Sequence, residues 1–242
     1  MVLDYVWNQM KLHGEEQPPF ITNEASDFIG SRRAKVQEID IQDSDGYLVP
    51  TVDGFNVYLR TGLEPHRRRS VLAHEIGHTF LFDTTESPPR MRTRGSAGQE
   101  WRNVEGPSYE IGRQILVPSY WLKKLAKEPS LSNFIQLKKI FQTTNHLLAR
   151  RIVQDLKVWD VCVMVGTADP PEFTQGGKFR GQSFKSFSVE KNANHVVPLF
   201  REASSNLESI VHLRLRLDNR LREVEAIQTV RGVLVCMIRN PF

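Results

Sequence analysis

The sequence predicts an α+β fold, in which strands and helices occupy separate stretches of chain. Three observations predict it. Between Lys35 and Arg60 apolar residues recur at every second position and are interrupted by two Asp-Gly steps, the mark of short hairpins in a small antiparallel sheet. From Arg67 to Leu156 the apolar spacing is that of helices with one buried face. From Val158 onward the pattern returns to strands.

Taken in order, residues 1–13 predict a short helix, with Val2, Tyr5, Val6 and Met10 at helical spacing. Pro18-Pro19 interrupts the chain, and a second helix is expected from Thr22, a capping residue, to Gly30. Val36, Ile39 and Ile41 precede Asp45-Gly46, Tyr47 to Val52 precede Asp53-Gly54, and Phe55, Val57 and Leu59 follow. A helix is expected over Arg67–Phe82, entered after Pro65. An irregular loop rich in Arg, Ser and Gly runs from Ser87 to Gly98, and a helix lies within Trp101–Val117, ending near Pro118. Tyr120–Lys127, Leu131–Phe141 and Asn145–Leu156 are three further helical segments. Val158–Val165 reads as a buried strand and Ala168–Gly181 as a Gly/Pro-rich connection. Ser209–Leu217, a turn at Asp218-Asn219, Val224–Val230 and Val233–Ile238 complete a β-rich tail. The change of texture puts a domain boundary near residue 157, giving regions 1–157 and 158–242.

The 242 residues are 40% hydrophobic and 25% charged, ordinary for a globular protein and unlike a disordered chain or a coiled-coil rod. At this length about 70% of the unfolded surface can be buried, so neither disulfide nor metal is needed to hold a core. The longest apolar run, Val233–Ile238, has six residues, against the ~20 needed to span a bilayer. Met1-Val2-Leu3-Asp4 has neither a basic start nor an apolar stretch, so no secretory leader is expected. Cys162 and Cys236 stand apart in apolar surroundings and read as small buried hydrophobes of a reducing compartment; the expected location is the cytoplasm. A net charge of +4 is spread over short groups, among them Arg67-Arg68-Arg69 and Arg214, Arg216, Arg220 and Arg222, and solvated surface is the default for each.

The chemistry lies in His74-Glu75-Ile76-Gly77-His78. Residues four apart on a helix differ by about 40° in azimuth, so the two imidazoles face the same way and can hold one metal ion. Glu75, one position round, can reach a water on that metal and take its proton as the oxygen attacks a carbonyl. This is the H-E-x-x-H arrangement of zinc peptidases. Gly77 is costly inside a helix by about 1 kcal/mol, and close approach of another backbone or of substrate would explain it. A catalytic zinc takes a third protein ligand. Glu86 is too near in sequence, and spacing does not choose among Glu100, Glu105 and Glu110.

Arg67 to His78, and then Glu105 through Ile111-Gly112-Arg113-Gln114-Ile115-Leu116-Val117-Pro118, resemble the two motif helices of the ImmA/IrrE family of metallopeptidases. The likeness is specific in these motifs and extends loosely over residues 20–155. It implies that Glu105, thirteen residues before Pro118, is the third ligand beside His74 and His78, with Glu75 as general base. It also implies zinc as the cofactor, with manganese the other candidate for a site of two histidines and a carboxylate. The implied substrate is a protein, typically a helix-turn-helix transcriptional repressor, cut by a cytoplasmic regulatory protease. Gly106-Pro107 directly after Glu105 departs from the family pattern, starts the helix there, and keeps Glu110 as a weaker alternative.

A second hypothesis is a regulatory module that binds protein or DNA without proteolysis on the same fold, with the metal structural or absent. Phe134–Val153 can be read as a helix pair turning at Thr143-Thr144-Asn145, but its second helix opens on Asn145 and His146 with no basic residue, so core formation is the expected role rather than DNA reading. Tyr109, Tyr120 and His66 are expected to pack or face solvent. His146 is expected to be structural, and His195 and His212 have no partners at ligand spacing.

Overall fold

The computed structural model describes residues 34–91, 104–167, 180–184, 202–203, 205–217, 220–228 and 233–239. The helices expected over 1–13 and 22–30, most of the 87–98 loop, the 168–179 connection, the turn at Asp218-Asn219, Glu100 and His195 lie outside them. The architecture is α+β. Contacts divide the chain into two units, Met1–Trp121 with Ile140–Thr143, and Leu122–Lys139 with Thr144–Phe242.

The first unit contains strands β1 (Ala34–Ile39), β2 (Gly46–Thr51) and β3 (Gly54–Arg60) in the order β1-β3-β2. Phe55, Val57 and Leu59 point to one face of β3 and are buried, as the period of two requires. β2 and β3 form the antiparallel hairpin expected at Asp53-Gly54, where Gly54 takes φ 131°. The expectation of a wholly antiparallel sheet is corrected at β1, which pairs with β3 in parallel register, Val36 opposite Val57. The first Asp-Gly step is therefore no hairpin. It is held as an anchor: Arg60 N donates to Asp45 O at 2.9 Å, and the Asp45 carboxylate takes Arg60 and Arg67 at 2.5 Å each. The chain crosses to the far edge of β3 before β2 begins.

Helix α1 (Pro65–Thr79) starts with proline at its first turn, where a missing N–H costs nothing. It ends three residues before the expected Phe82. Phe80 N and Leu81 N close back on Gly77 O and His78 O at 3.2 and 2.9 Å. Phe82–Asp83 (β4), at the expected helix end, then pairs with Arg90–Met91 (β5), inside what the sequence predicts as loop. Helix α2 (Glu105–Leu116) begins at Glu105. The two helices meet through glycine on both sides. A Cβ on Gly77 would lie 2.4 Å from Ser108 O, and one on Gly112 would lie 2.9 Å from Ala73 O. The cost of Gly77 within a helix thus has its reason in the approach of another backbone.

The second unit holds a five-stranded antiparallel sheet in the order β7-β6-β10-β9-β8, from β6 (Val161–Thr167), β7 (Arg180–Phe184), β8 (Val211–Leu217), β9 (Arg220–Gln228) and β10 (Val233–Arg239). The inner strand β10 carries the longest apolar run of the sequence, and Val235–Ile238 are buried on both faces. Edge strand β8 alternates, with His212, Arg214 and Arg216 exposed, as a strand with one wet face should. β7 was not expected, and β9 starts at Arg220 rather than Val224 because Arg220 already pairs with Leu217.

Helices α3 (Ser119–Leu125), α4 (Leu131–Phe141) and α5 (Asn145–Arg150) follow α2, and a π-helical turn continues α5 through Arg151–Asp155. The division of contacts differs from a boundary at 157, since most of this helical stretch groups with the C-terminal sheet. Two buried bonds account for that: Leu131 N donates to Glu225 Oε2 at 2.5 Å, and Trp159 Nε1 to Ala126 O at 3.0 Å. In the α4–α5 pair Thr144 caps the second helix, its Oγ1 accepting from Leu147 N at 3.2 Å. Phe134, Leu137, Phe141 and Leu148 are buried, and so is Arg151, matching a core-forming pair.

Adding a methyl at Gly77 presses it into backbone. Overpacking costs about 1–3 kcal/mol, more than the ~1 kcal/mol of helix propensity that alanine returns. Gly77→Ala should lower the thermal midpoint, by up to about 8 °C where the net cost reaches ~2 kcal/mol. Gly106→Ala, where a Cβ meets nothing within 4 Å, should leave it unchanged or raise it. Equal midpoints for the two variants would refute the crossing contact.

Candidate metal centre

Three elements of the first unit build the site. α1 is tethered at its start to the sheet, Arg67 to Asp45 and Arg68 Nε to Glu38 Oε1 at 2.6 Å. Each pair is exposed and contributes little energy, but together they set the helix along the strands. Two turns further on, His74 and His78 project from one face with their Nε2 atoms 3.1 Å apart. The glycine crossing lays the first turn of α2 beside them, and Glu105 reaches both, Oε2 to His74 Nε2 at 3.1 Å and Oε1 to His78 Nε2 at 3.4 Å.

These donors fit a cation. One ligand atom from each residue lies within 4.8 Å of the others, and the shorter separations match the ~3.3 Å edge of a tetrahedron drawn about an ion with bonds of about 2.0–2.1 Å. Two imidazoles and a carboxylate are the donor set of zinc and manganese sites. Burial, and then the neighbouring His78, lowers the pKa of His74 to about 4 against the pull of Glu105. Burial lowers His78 as well. Both shifts favour the neutral form of the ring, the form that binds a metal.

The proton on His78 can be placed by its partner. Ser108 Oγ donates to Val104 O at 2.9 Å, which commits its hydrogen. His78 Nδ1, 2.9 Å from the same oxygen, is therefore the donor to it, and the Nε2 lone pair faces the cluster. Such an outer bond orients a metal-binding histidine and sets its tautomer. His74 has no counterpart among the described residues, where its Nδ1 is buried without a hydrogen-bond partner. The Tyr109 ring lies against His74 instead, centroids 3.9 Å apart and planes at 29°.

Glu75 sits beside the cluster with only 5% of its surface exposed. Burial, reinforced by the charge of Glu105, pushes its carboxyl up to about 7. A carboxyl poised there can take a proton near neutral pH and give it back. The four residues line a cleft of about 850 Å³ together with Tyr47, Leu48 and Pro50 of β2 and with Arg67, Val71 and Tyr109.

The structure thus brings together His74, Glu75, His78 and Glu105. Glu110 is turned elsewhere: its carboxylate accepts from Arg113 and, at 2.7 Å, from Gln114 Nε2. Glu86 pairs with Arg90 at 3.0 Å. Tyr120 packs edge-on against Trp121, outside the cleft. His66 and His146 do not line the cleft, and His212 stands 3.5 Å from Glu225 in the other unit. Sequence reasoning missed Ser108 and undervalued Tyr109. Their signal was present, since residues three and four after Glu105 share its helix face.

No protein-family model matches the sequence, and no curated protein does. Among solved structures, a Mycobacterium tuberculosis transcriptional regulator resembles it with a TM-score of 0.55 and 12% identity, covering 98% of this chain and 76% of that one. At this identity the likeness is one of fold.

Proposed function

We propose that this chain is a metal-dependent endopeptidase of the kind its ImmA/IrrE-like motifs imply, cutting a regulatory protein such as a helix-turn-helix transcriptional repressor. One observation carries the proposal. Two neutral imidazoles and a carboxylate converge at 3.1–3.4 Å beside a buried acid whose pKa is raised to about 7, all in one open cleft. His74, His78 and Glu105 would hold zinc or manganese, which when bound polarises a peptide carbonyl and acidifies water. Glu75 takes the proton of the attacking water and returns it to the departing amine. Ser108 keeps His78 in the binding tautomer. The cleft runs beside β2, an outer strand of its sheet, which supports an extended peptide as substrate. Among the described residues no helix is long and apolar enough to cross a membrane, and the free buried thiols of Cys162 and Cys236 accord with action in the cytoplasm.

The description of the structural neighbour as a transcriptional regulator favours keeping a second reading, a regulatory module that binds without cutting. The two part at Glu75, which a binding module has no reason to hold half-protonated in a cleft.

Metal content measured by mass spectrometry on protein purified without added metal should be close to one zinc or manganese per chain, and Glu105→Ala should lose it. Glu75→Gln should retain the metal while cleavage of a proteome-derived peptide mixture falls by about 10²–10⁴-fold. Cleavage by Glu75→Gln at the parent rate would end the mechanism. Full metal loading with no cleavage by the parent would favour the binding module.

A further inference from the structure

The two histidines of the site are held in different ways, and the difference points to a residue with a role of its own. His78 is anchored by a hydrogen bond from Nδ1 to Ser108, whose hydroxyl is in turn fixed on Val104 O. Ligand histidines nearly always have such an acceptor, because without one the ring turns about its Cβ–Cγ bond and the lone pair loses its aim. His74 has none among the described residues: its Nδ1 is buried and unpaired there. What it has is an aromatic face, Tyr109, stacked at 3.9 Å and 29°. A ring lying flat against another opposes its rotation, and such pairs are worth something beyond the area they cover. Tyr109 comes from the start of α2 with Glu105 and Ser108, four residues after the carboxylate, so this stretch supplies one donor and reaches both of the others.

We propose that Tyr109 is the positioning residue of His74, fixing the imidazole by ring stacking where Ser108 fixes His78 by a hydrogen bond. The assignment rests on the metal-site reading above and adds to it a function for the ring face, not for the hydroxyl. Tyr109 is 53% exposed and its replacement opens no cavity in the core. That separates it from a residue whose loss simply weakens the fold.

The test uses the full chain with Co²⁺ as the probe, its affinity measured by competition with a chelator and its geometry by the visible absorption of the bound ion. Tyr109→Phe keeps the ring and should bind within about twofold of the parent. Tyr109→Leu removes it and should bind about 10–100-fold more weakly, with an altered visible spectrum for the fraction that binds. The thermal midpoint of both variants in excess chelator should stay within about 2 °C of the parent. Parent-like affinity and spectrum in Tyr109→Leu would overturn the assignment. So would a Phe variant as weak as the Leu variant, which would place the effect in the hydroxyl, or a fall in the metal-free midpoint, which would place it in the fold. A parent that binds no Co²⁺ would remove the metal site itself, and Tyr109 with it.

Discussion

Everything at the candidate site depends on how closely α1 and α2 approach. Two glycines, one on each helix, let backbone meet backbone: Gly77 faces Ser108 and Gly112 faces Ala73. Side chains at these points would hold the helices apart by the width of a methyl or more, and the carboxylate of Glu105 would no longer reach imidazoles on the neighbouring helix. The contact does more than bring a third donor. It places the first turn of α2 along the histidine face of α1, so that Glu105, Ser108 and Tyr109 each touch His74 or His78. Because these are rigid elements locked through backbone, the donors are set by packing rather than by flexible loops, as a precise site requires.

Gathered in this way, the polar groups are in tension. Two imidazole nitrogens stand 3.1 Å apart, Glu75 is buried close to the charge of Glu105, and the rings have been made poor bases by burial. Interiors tolerate buried polar groups when they are paired and charge them heavily when they are not. A divalent cation would resolve all three conditions together. The same low-dielectric setting raises the Glu75 carboxyl to about 7, where a carboxyl can take up or release a proton near neutrality. One arrangement thus sets both the burial and the protonation of these groups.

The second unit follows a different logic. Its sheet has apolar strands at the centre and an alternating, arginine-bearing strand at the edge, and a buried Glu225 joins it to the helical stretch. That carboxylate accepts from Leu131 N at the start of α4 and from Arg239 on β10. One acidic side chain on a strand thus satisfies a helix terminus far away in sequence, and this is why those helices belong with the sheet and not with the motif helices before them.

Local periodicity made the motif legible. The i, i+4 spacing of His74 and His78 places two imidazoles on one helix face whatever surrounds them, and Glu75 is carried along by the same geometry. The Asp53-Gly54 hairpin, the proline entry to α1 and the start of α2 at Glu105 were readable for the same reason, because each is set by bonds within a few residues. The choice of Glu105 over Glu110 depended on a resemblance, and the geometry of the crossing now places one at the histidines and the other on Arg113 and Gln114. The parallel pairing of β1 with β3, the grouping of the helical stretch with Glu225, and the unequal support of the two histidines were out of reach of the sequence. Each joins residues distant along the chain, through contacts that exist only once helices and strands have packed. The sequence by itself determined which side chains could do the chemistry; the packing of two helices through glycine decided which of them meet.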